Sequence, residues 1–203
     1  METPLLSLRE VALTRGYRAL LAGINLDIKP GELWQLTGPN GSGKTSLLRA
    51  IAGLIRVGVS GTIDRPETLL FQGHAPGIKG LLTPLENLQS HPGGLIEVES
   101  DRVREALAAV GLLRFLDTPV MRLSAGQQRR VGLARLWLSR SSLWLLDEPF
   151  TAIDKQGVAY LEKVMLAHAQ AGGMVLLTTH QELSLEPSLY RCLTITPAYE
   201  EQA

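Results

Sequence analysis

The chain lacks a net charge, a second cysteine and any long apolar run. Its 203 residues carry 20 Lys and Arg against 20 Asp and Glu, so no charge excess points to nucleic acid or to an anionic membrane surface, and partners must be recognised locally. A single cysteine, Cys192, excludes an internal disulfide and fits a reducing compartment; by default it is a small core residue. No stretch approaches the roughly 20 apolar residues that span a bilayer, and the opening "METPLLSLRE" lacks the basic-then-apolar order of a signal peptide. The expectation is a soluble chain able to dock on a membrane. Internal repeats, heptads and low-complexity linkers are also missing. What is present is enough apolar material, 45% of residues, for one large domain or one domain with an inserted subdomain.

"LLSLREVALT" and "INLDIKPGE" alternate apolar and polar residues like strands of a half-exposed antiparallel sheet, with Pro30 and Gly31 as a turn before the next strand. "LWQLT", "TLLF", "LWLLD" and "MVLLTT" are short apolar runs of the kind buried on both faces of a parallel sheet. Between them "SLLRAIAGLI", "SDRVREALAAVG", "QQRRVGLARLWLS" and "GVAYLEKVMLAHAQAGG" read as helices. In the second of these, Ser100 is a candidate N-cap, Val103, Leu107 and Val110 share a face, and Gly111 is a stop. The mixture is α/β, with a helical stretch at about 84 to 140 interrupting the strand rhythm.

"GPNGSGKT", residues 38 to 45, fits G-x-x-x-x-G-K-[ST], with strand "LWQLT" before it and helix "SLLRAIAGL" after. The glycines Gly38, Gly41 and Gly43 let the backbone around Pro39, Asn40 and Ser42 turn its N–H groups inward, and the helix start at Lys44, Thr45 and Ser46 adds positive partial charge. Lys44 reaches the terminal phosphates of a nucleoside triphosphate such as ATP, and the Thr45 hydroxyl can ligate Mg²⁺. "LWLLDEP" puts Asp147 and Glu148 at the carboxyl end of a buried strand, where open α/β sheets bind ligands. We assign Asp147 to Mg²⁺, through water, and Glu148 to general-base catalysis on the attacking water. In "LSAGQQRRVGLARLWL", Ser124 is a good N-cap, and Ala125 and Gly126 leave the first-turn N–H groups accessible. That helix start reads either as a second anion site or as a plain capped helix.

"LSAGQ", followed by "QRRVGLARL" and "LWLLDEP", resembles the signature of the ATP-binding-cassette (ABC) ATPases, and the likeness runs along essentially the whole chain. The resemblance implies a P-loop NTPase fold of ABC type: a mostly parallel core sheet, an antiparallel β subdomain and an inserted helical subdomain. On that pattern residues 1–75 and 141–203 form the nucleotide-binding part, and about 76–140 the helical part. It also implies that two copies sandwich ATP, with Ser124, Gly126 and Gln127 of one copy facing the γ-phosphate held by the other. Ala125 departs from the usual glycine. "TAID" resembles the D-loop, placing Asp154 at the subunit contact, and "LLTTH" makes His180 the switch histidine that orients water with Glu148. "LTPLENL" resembles the start of the helical subdomain that meets a membrane partner, and Pro84 suits a helix start in any case.

Two further departures stand out in "FQGHAPGIKG" and "TRGYRA". Family spacing puts the usual glutamine on His74, while Gln72 lies two residues earlier, and the segment reads as a hinge between nucleotide and membrane partner. An imidazole there suits water or the γ-phosphate better than Mg²⁺, which prefers oxygen. The aromatic residue that stacks on adenine falls on Arg15, with Tyr17 close by, and either can stack on a base. "GHAPGIKGLLTPLENL" and the run from "LSAGQQRR" to "TAIDK", in a chain that ends soon after His180, narrow the likeness to the ATP-binding subunits of cytochrome c biogenesis. That branch implies a peripheral protein on the cytoplasmic face of the bacterial inner membrane, with membrane subunits CcmB and CcmC. Its ATP hydrolysis is linked to haem export or to release of the haem-loaded chaperone CcmE. The alternatives are the ATPase of another small-substrate transporter, a soluble ABC protein acting on DNA ends or ribosomes, and a non-hydrolysing regulatory module. The second lacks support, since the chain has neither a coiled-coil insertion nor a basic surplus. The third conflicts with the presence of Lys44, Asp147, Glu148 and His180. His91 and His168 read as a loop and a helix residue, with no haem-ligating motif around them.

Overall fold

A computed structural model describes residues 5–90 and 99–198; His91 lies outside them. The strands are β1 (Leu6–Arg15), β2 (Arg18–Ile28), β3 (Leu33–Thr37), β4 (Val59–Asp64), β5 (Leu69–Gln72), β6 (Leu143–Asp147), β7 (Met174–Thr178) and β8 (Arg191–Thr194). The main helices are α1 (Lys44–Ile51), α2 (Pro84–Gln89), α3 (Ser100–Ala109), α4 (Ala125–Leu133), α5 (Arg135–Leu138) and α6 (Lys155–Gln170). The chain forms two compact units: Met1–Phe71, Ser141–Glu148 and Glu162–Ala203 in one, Gln72–Arg140 and Pro149–Leu161 in the other.

The first unit holds an antiparallel sheet of order β2-β1-β4 and a five-stranded sheet of order β5-β6-β7-β3-β8. β3 pairs in parallel with β7 and with β8, and β6 in parallel with β7. All five residues of β6 and of β7 are buried, as expected of unbroken apolar strands with both faces covered. The opening hairpin is longer than the alternation suggests. β2 begins at Arg18, across a turn at Gly16 and Tyr17, and Pro30–Gly31 turns, as expected, into β3 of the parallel sheet. Alternation in β1 fails at Arg9 and Glu10, where the register with β2 shifts and Glu10 has φ +49°, because a bulge inserts an extra residue. Leu47, Leu48 and Ile51 of α1 share one core with Leu36, Leu143, Leu145 and Leu176. Cys192, expected in the core, is exposed, since β8 is an edge strand.

The second unit is helical and has its own core, built from Leu88, Val103, Leu107, Val120, Val131 and Leu138 among others. Ser100 proves to be the first residue of α3 rather than its cap: Glu99 precedes it and makes no side-chain cap bond. Gly111 follows the helix at φ +71°. The run expected as one helix from Gln127 is broken at Ala134 into α4 and α5. Among the described residues no helix is long and apolar enough to cross a membrane.

Candidate functional site

Three parallel neighbours, β6, β7 and β3, deliver three motifs to the same edge of one sheet. The loop 38–43 leaves the carboxyl end of β3, Asp147 ends β6 and is followed by Glu148, and His180 lies two residues beyond β7. Residues 40 to 46, Glu148 and His180 line one cleft of about 290 Å³ with Thr178, Arg15 and Leu20. Adjacency of carboxyl ends in a parallel sheet is why residues more than a hundred positions apart meet.

The loop is built to receive an anion. Gly38 has φ +138°, and a Cβ there would run into the Ile195 carbonyl. α1 starts from Gly43 at φ +94° with no side-chain cap, whereas α2 and α4 both carry complete capping boxes. The first-turn N–H groups of α1 are therefore left for a ligand. Ser42 Oγ is fully buried beside them with no hydrogen-bond partner among the described residues, a polar group that an incoming phosphate oxygen would satisfy. Lys44 is buried and its Nζ donates to the carbonyls of Gly38 (2.7 Å) and Pro39 (2.9 Å). Burial pushes its ammonium below the ordinary lysine range, opposed by the nearby Glu148 and Asp147 carboxylates.

Asp147, 1% exposed, accepts hydrogen bonds on Oδ1 from the Thr45 and Thr178 hydroxyls, each at 2.9 Å. Thr178 Oγ1 in turn accepts from the Glu148 N–H at 3.0 Å. Sequence reasoning passed over Thr178; the signal was a polar residue closing the otherwise apolar β7. Glu148 takes φ +51°, a left-handed backbone unusual for a non-glycine residue, of the sort concentrated at functional sites. Its carboxylate meets His180, with Oε1 3.5 Å from Nε2 and Oε2 accepting from the His180 N–H at 3.4 Å. A hydroxyl and a carboxylate joined at 2.9 Å form the hard oxygen set that Mg²⁺ prefers, and that ion needs only one or two protein oxygens when phosphate and water complete its shell.

Arg15 lines the cleft, while Tyr17 does not and is fully exposed at the hairpin turn. The remaining predicted residues belong to the helical unit. Ser124 Oγ accepts from the Gln127 N–H (3.3 Å), and Gln127 Oε1 accepts from the Ser124 N–H (2.8 Å), so Gln127 completes the cap of α4. A Cβ at Gly126 would lie 2.8 Å from the Ala152 carbonyl, which requires glycine there. Asp154 Oδ1 accepts from the Gly157 N–H at 2.8 Å at the start of α6. Gln72 is buried at the end of β5, and His74 is exposed.

With this geometry in view, comparison with known proteins gives a consistent result. The model of the ABC transporter family matches residues 21–151. The "Cytochrome c biogenesis ATP-binding export protein CcmA" of Yersinia pestis bv. Antiqua (strain Nepal516) is 50% identical over 191 residues, covering 88% of this chain and 87% of its own. A protein of Salmonella choleraesuis (strain SC-B67), named as a bifunctional cytochrome c-type biogenesis protein CcmAE, is 48% identical over 206 residues, 96% of this chain and 60% of its own. Among solved structures, the dimeric ATP-binding cassette MJ0796 in a post-hydrolysis state bound to ADP and Pi superimposes with a TM-score of 0.74. It is 26% identical, over 87% of this chain and 88% of that one. The chain belongs to the ABC transporter family as one of its ATPase domains, in the branch of the cytochrome c biogenesis ATP-binding export proteins.

Proposed function

We propose that this chain hydrolyses ATP to drive a membrane complex of cytochrome c biogenesis, working with CcmB and CcmC and, through them, on haem export or release of the haem-loaded chaperone CcmE. The observation that carries the reading is the convergence of Lys44, Thr45, Glu148 and His180 on one cleft beside an uncapped helix start, with Asp147 bonded to the Thr45 hydroxyl. The relative in which an A and an E component share one chain supports the link to CcmE. A peripheral position on the cytoplasmic face of the inner membrane follows from that partnership. The nucleotide-binding part is residues 1–75 and 141–203, and the helical part about 76–140. In the helical unit Leu81 and Met121 are exposed and sit side by side, since the Met121 N–H donates to the Gly80 carbonyl. They form the apolar surface we assign to the membrane subunit.

In the reaction, water attacks the γ-phosphate, the bond to ADP breaks, and phosphate leaves. Glu148 orients the water and takes its proton, and His180, at hydrogen-bond reach of that carboxylate, steadies both. Lys44, Ser42 and the N–H groups of residues 41 to 46 hold the phosphates. Mg²⁺, held by Thr45 and through water by Asp147, supplies charge neutralisation when bound. Arg15 offers its planar guanidinium to the base, with Tyr17 of the adjoining turn as its neighbour. A second copy closes the site with Ser124 and Gly126. Because the Ser124 hydroxyl oxygen already accepts from Gln127, its proton is left to donate to a phosphate oxygen. Asp154 lies at the contact between copies. Of the two candidates, Gln72 at the end of β5 and His74 just beyond it, His74 is exposed and takes the water- or phosphate-sensing place, and Gln72 packs inside.

Purification of the chain from membranes tests the reading. CcmB and CcmC should be recovered with it; recovery with a different set of transporter subunits would instead favour the motor of another small-substrate transporter.

A further inference from the structure

The segment expected as a hinge is clamped. Arg129 of α4, 4% exposed, donates from Nη1 to the carbonyls of Gly73 and His74, both at 2.7 Å. Arg135 of α5, 7% exposed, donates from Nη1 to the Pro76 carbonyl (3.0 Å) and from Nη2 to that of Gly77 (2.7 Å). Asn87 of α2 continues the series: its Nδ2 donates to the carbonyls of Lys79, Leu82 and Thr83, and its Oδ1 accepts from the Lys79 N–H at 2.7 Å. The loop thus finds in side chains the partners that a strand finds in a neighbour. Burial lowers the Arg135 guanidinium to about 10, which leaves it charged at neutral pH, and the planar fork matches two carbonyls at once in a way a lysine does not.

Arg129 sits five residues after the Ser124 cap on the same helix, a rise of roughly 7.5 Å. One short rigid element therefore carries the cap at its start and grips the His74 carbonyl farther along. We propose that Arg129 and Arg135 are positioning residues that make His74 and the Ser124–Gly126 cap a single rigid body, so that His74 engages or leaves the γ-phosphate of its own copy in step with the cap at the γ-phosphate of the other. This rests on the functional reading above.

The test is a double-mutant cycle on the purified full chain with Arg129→Met and His74→Ala, reading steady-state ATP hydrolysis and thermal unfolding. Arg129→Met should lower kcat about tenfold with KM for ATP within about twofold of the starting chain. Adding His74→Ala should cost little more, because the arginine acts through that residue. Arg129→Lys should recover part of the loss. Multiplicative losses in the double variant, or full kcat in Arg129→Met, would overturn the proposal. If Arg129→Met does not fold, the same cycle run with Arg129→Lys decides by the same criteria. Failure of the ATPase reading would show separately, as turnover that survives loss of Glu148.

Discussion

Single side chains set the chemistry. Thr178 ties the Asp147 carboxylate to the backbone of Glu148, giving its proton to Asp147 and accepting the Glu148 N–H. That arrangement holds Glu148 in its left-handed backbone and aims its carboxylate at His180. Removing only the basicity, as in Glu148→Gln, should leave ATP affinity within about twofold and reduce kcat by about 10² to 10⁴, the range of general-base catalysis. Equilibrium nucleotide binding and steady-state phosphate release measure the two quantities; undiminished release would remove Glu148 from the role of base. The residue types were readable from spacing alone, since a strand followed by Asp and Glu after a phosphate loop leaves few other uses. The Thr178 bridge was not, because it forms across β6 and β7, whose pairing depends on the whole sheet.

At the scale of elements, the contrast between helix starts is informative. α1 has no side-chain cap, and α4 has a full one, so α1 offers bare N–H groups and α4 offers a pre-oriented hydroxyl. A Cβ on Gly126, in the first turn of α4, would press on the Ala152 carbonyl at 2.8 Å, well inside van der Waals contact. In the proposed sandwich, Gly126→Asp would add a carboxylate beside the γ-phosphate held by the other copy and should abolish ATP-driven dimerisation, seen as loss of the dimer peak in size-exclusion chromatography with Glu148→Gln in the background. Gly126→Ala separates bulk from charge, and should lose less. A normal dimer in the Asp variant would count against the signature assignment. The Ser124 cap was legible, whereas the reason for Gly126 was not: it lies in a loop that approaches from 26 positions away.

For the whole molecule, a half-buried histidine on α6, His168, ties stability to pH. His168 stacks on Trp144 of β6, ring centroids 3.8 Å apart and ring planes nearly parallel at 4°. Burial holds its imidazole below the ordinary range, partly offset by a hydrogen bond to the Ser142 backbone. Because the unfolded chain binds that proton more readily, the contribution of His168 to stability is complete above about pH 6.5 and is lost as pH falls through the lower folded value. Thermal melts from pH 7.5 to 5 should show a fall in Tm that is smaller in His168→Gln. Parallel falls in the two proteins would mean that other groups carry the acid sensitivity.

Short-range pattern was sufficient for the fold class, the phosphate loop, the acidic strand end, the capped signature helix and the helical placement of His168, because each depends on residues a few positions apart. Cys192 was misread for the opposite reason: an apolar neighbourhood in sequence does not tell an edge strand from a central one. The stretch "FQGHAPGIKG" shows the same boundary most clearly. Its glycines and proline read as a turn and its place before the helical subdomain as a hinge, but no local signal says that Arg129 and Arg135, more than fifty residues later, would satisfy its carbonyls. Only packing of the helical unit brings those donors to the loop, and buried donors and acceptors must be paired wherever the chain has placed them.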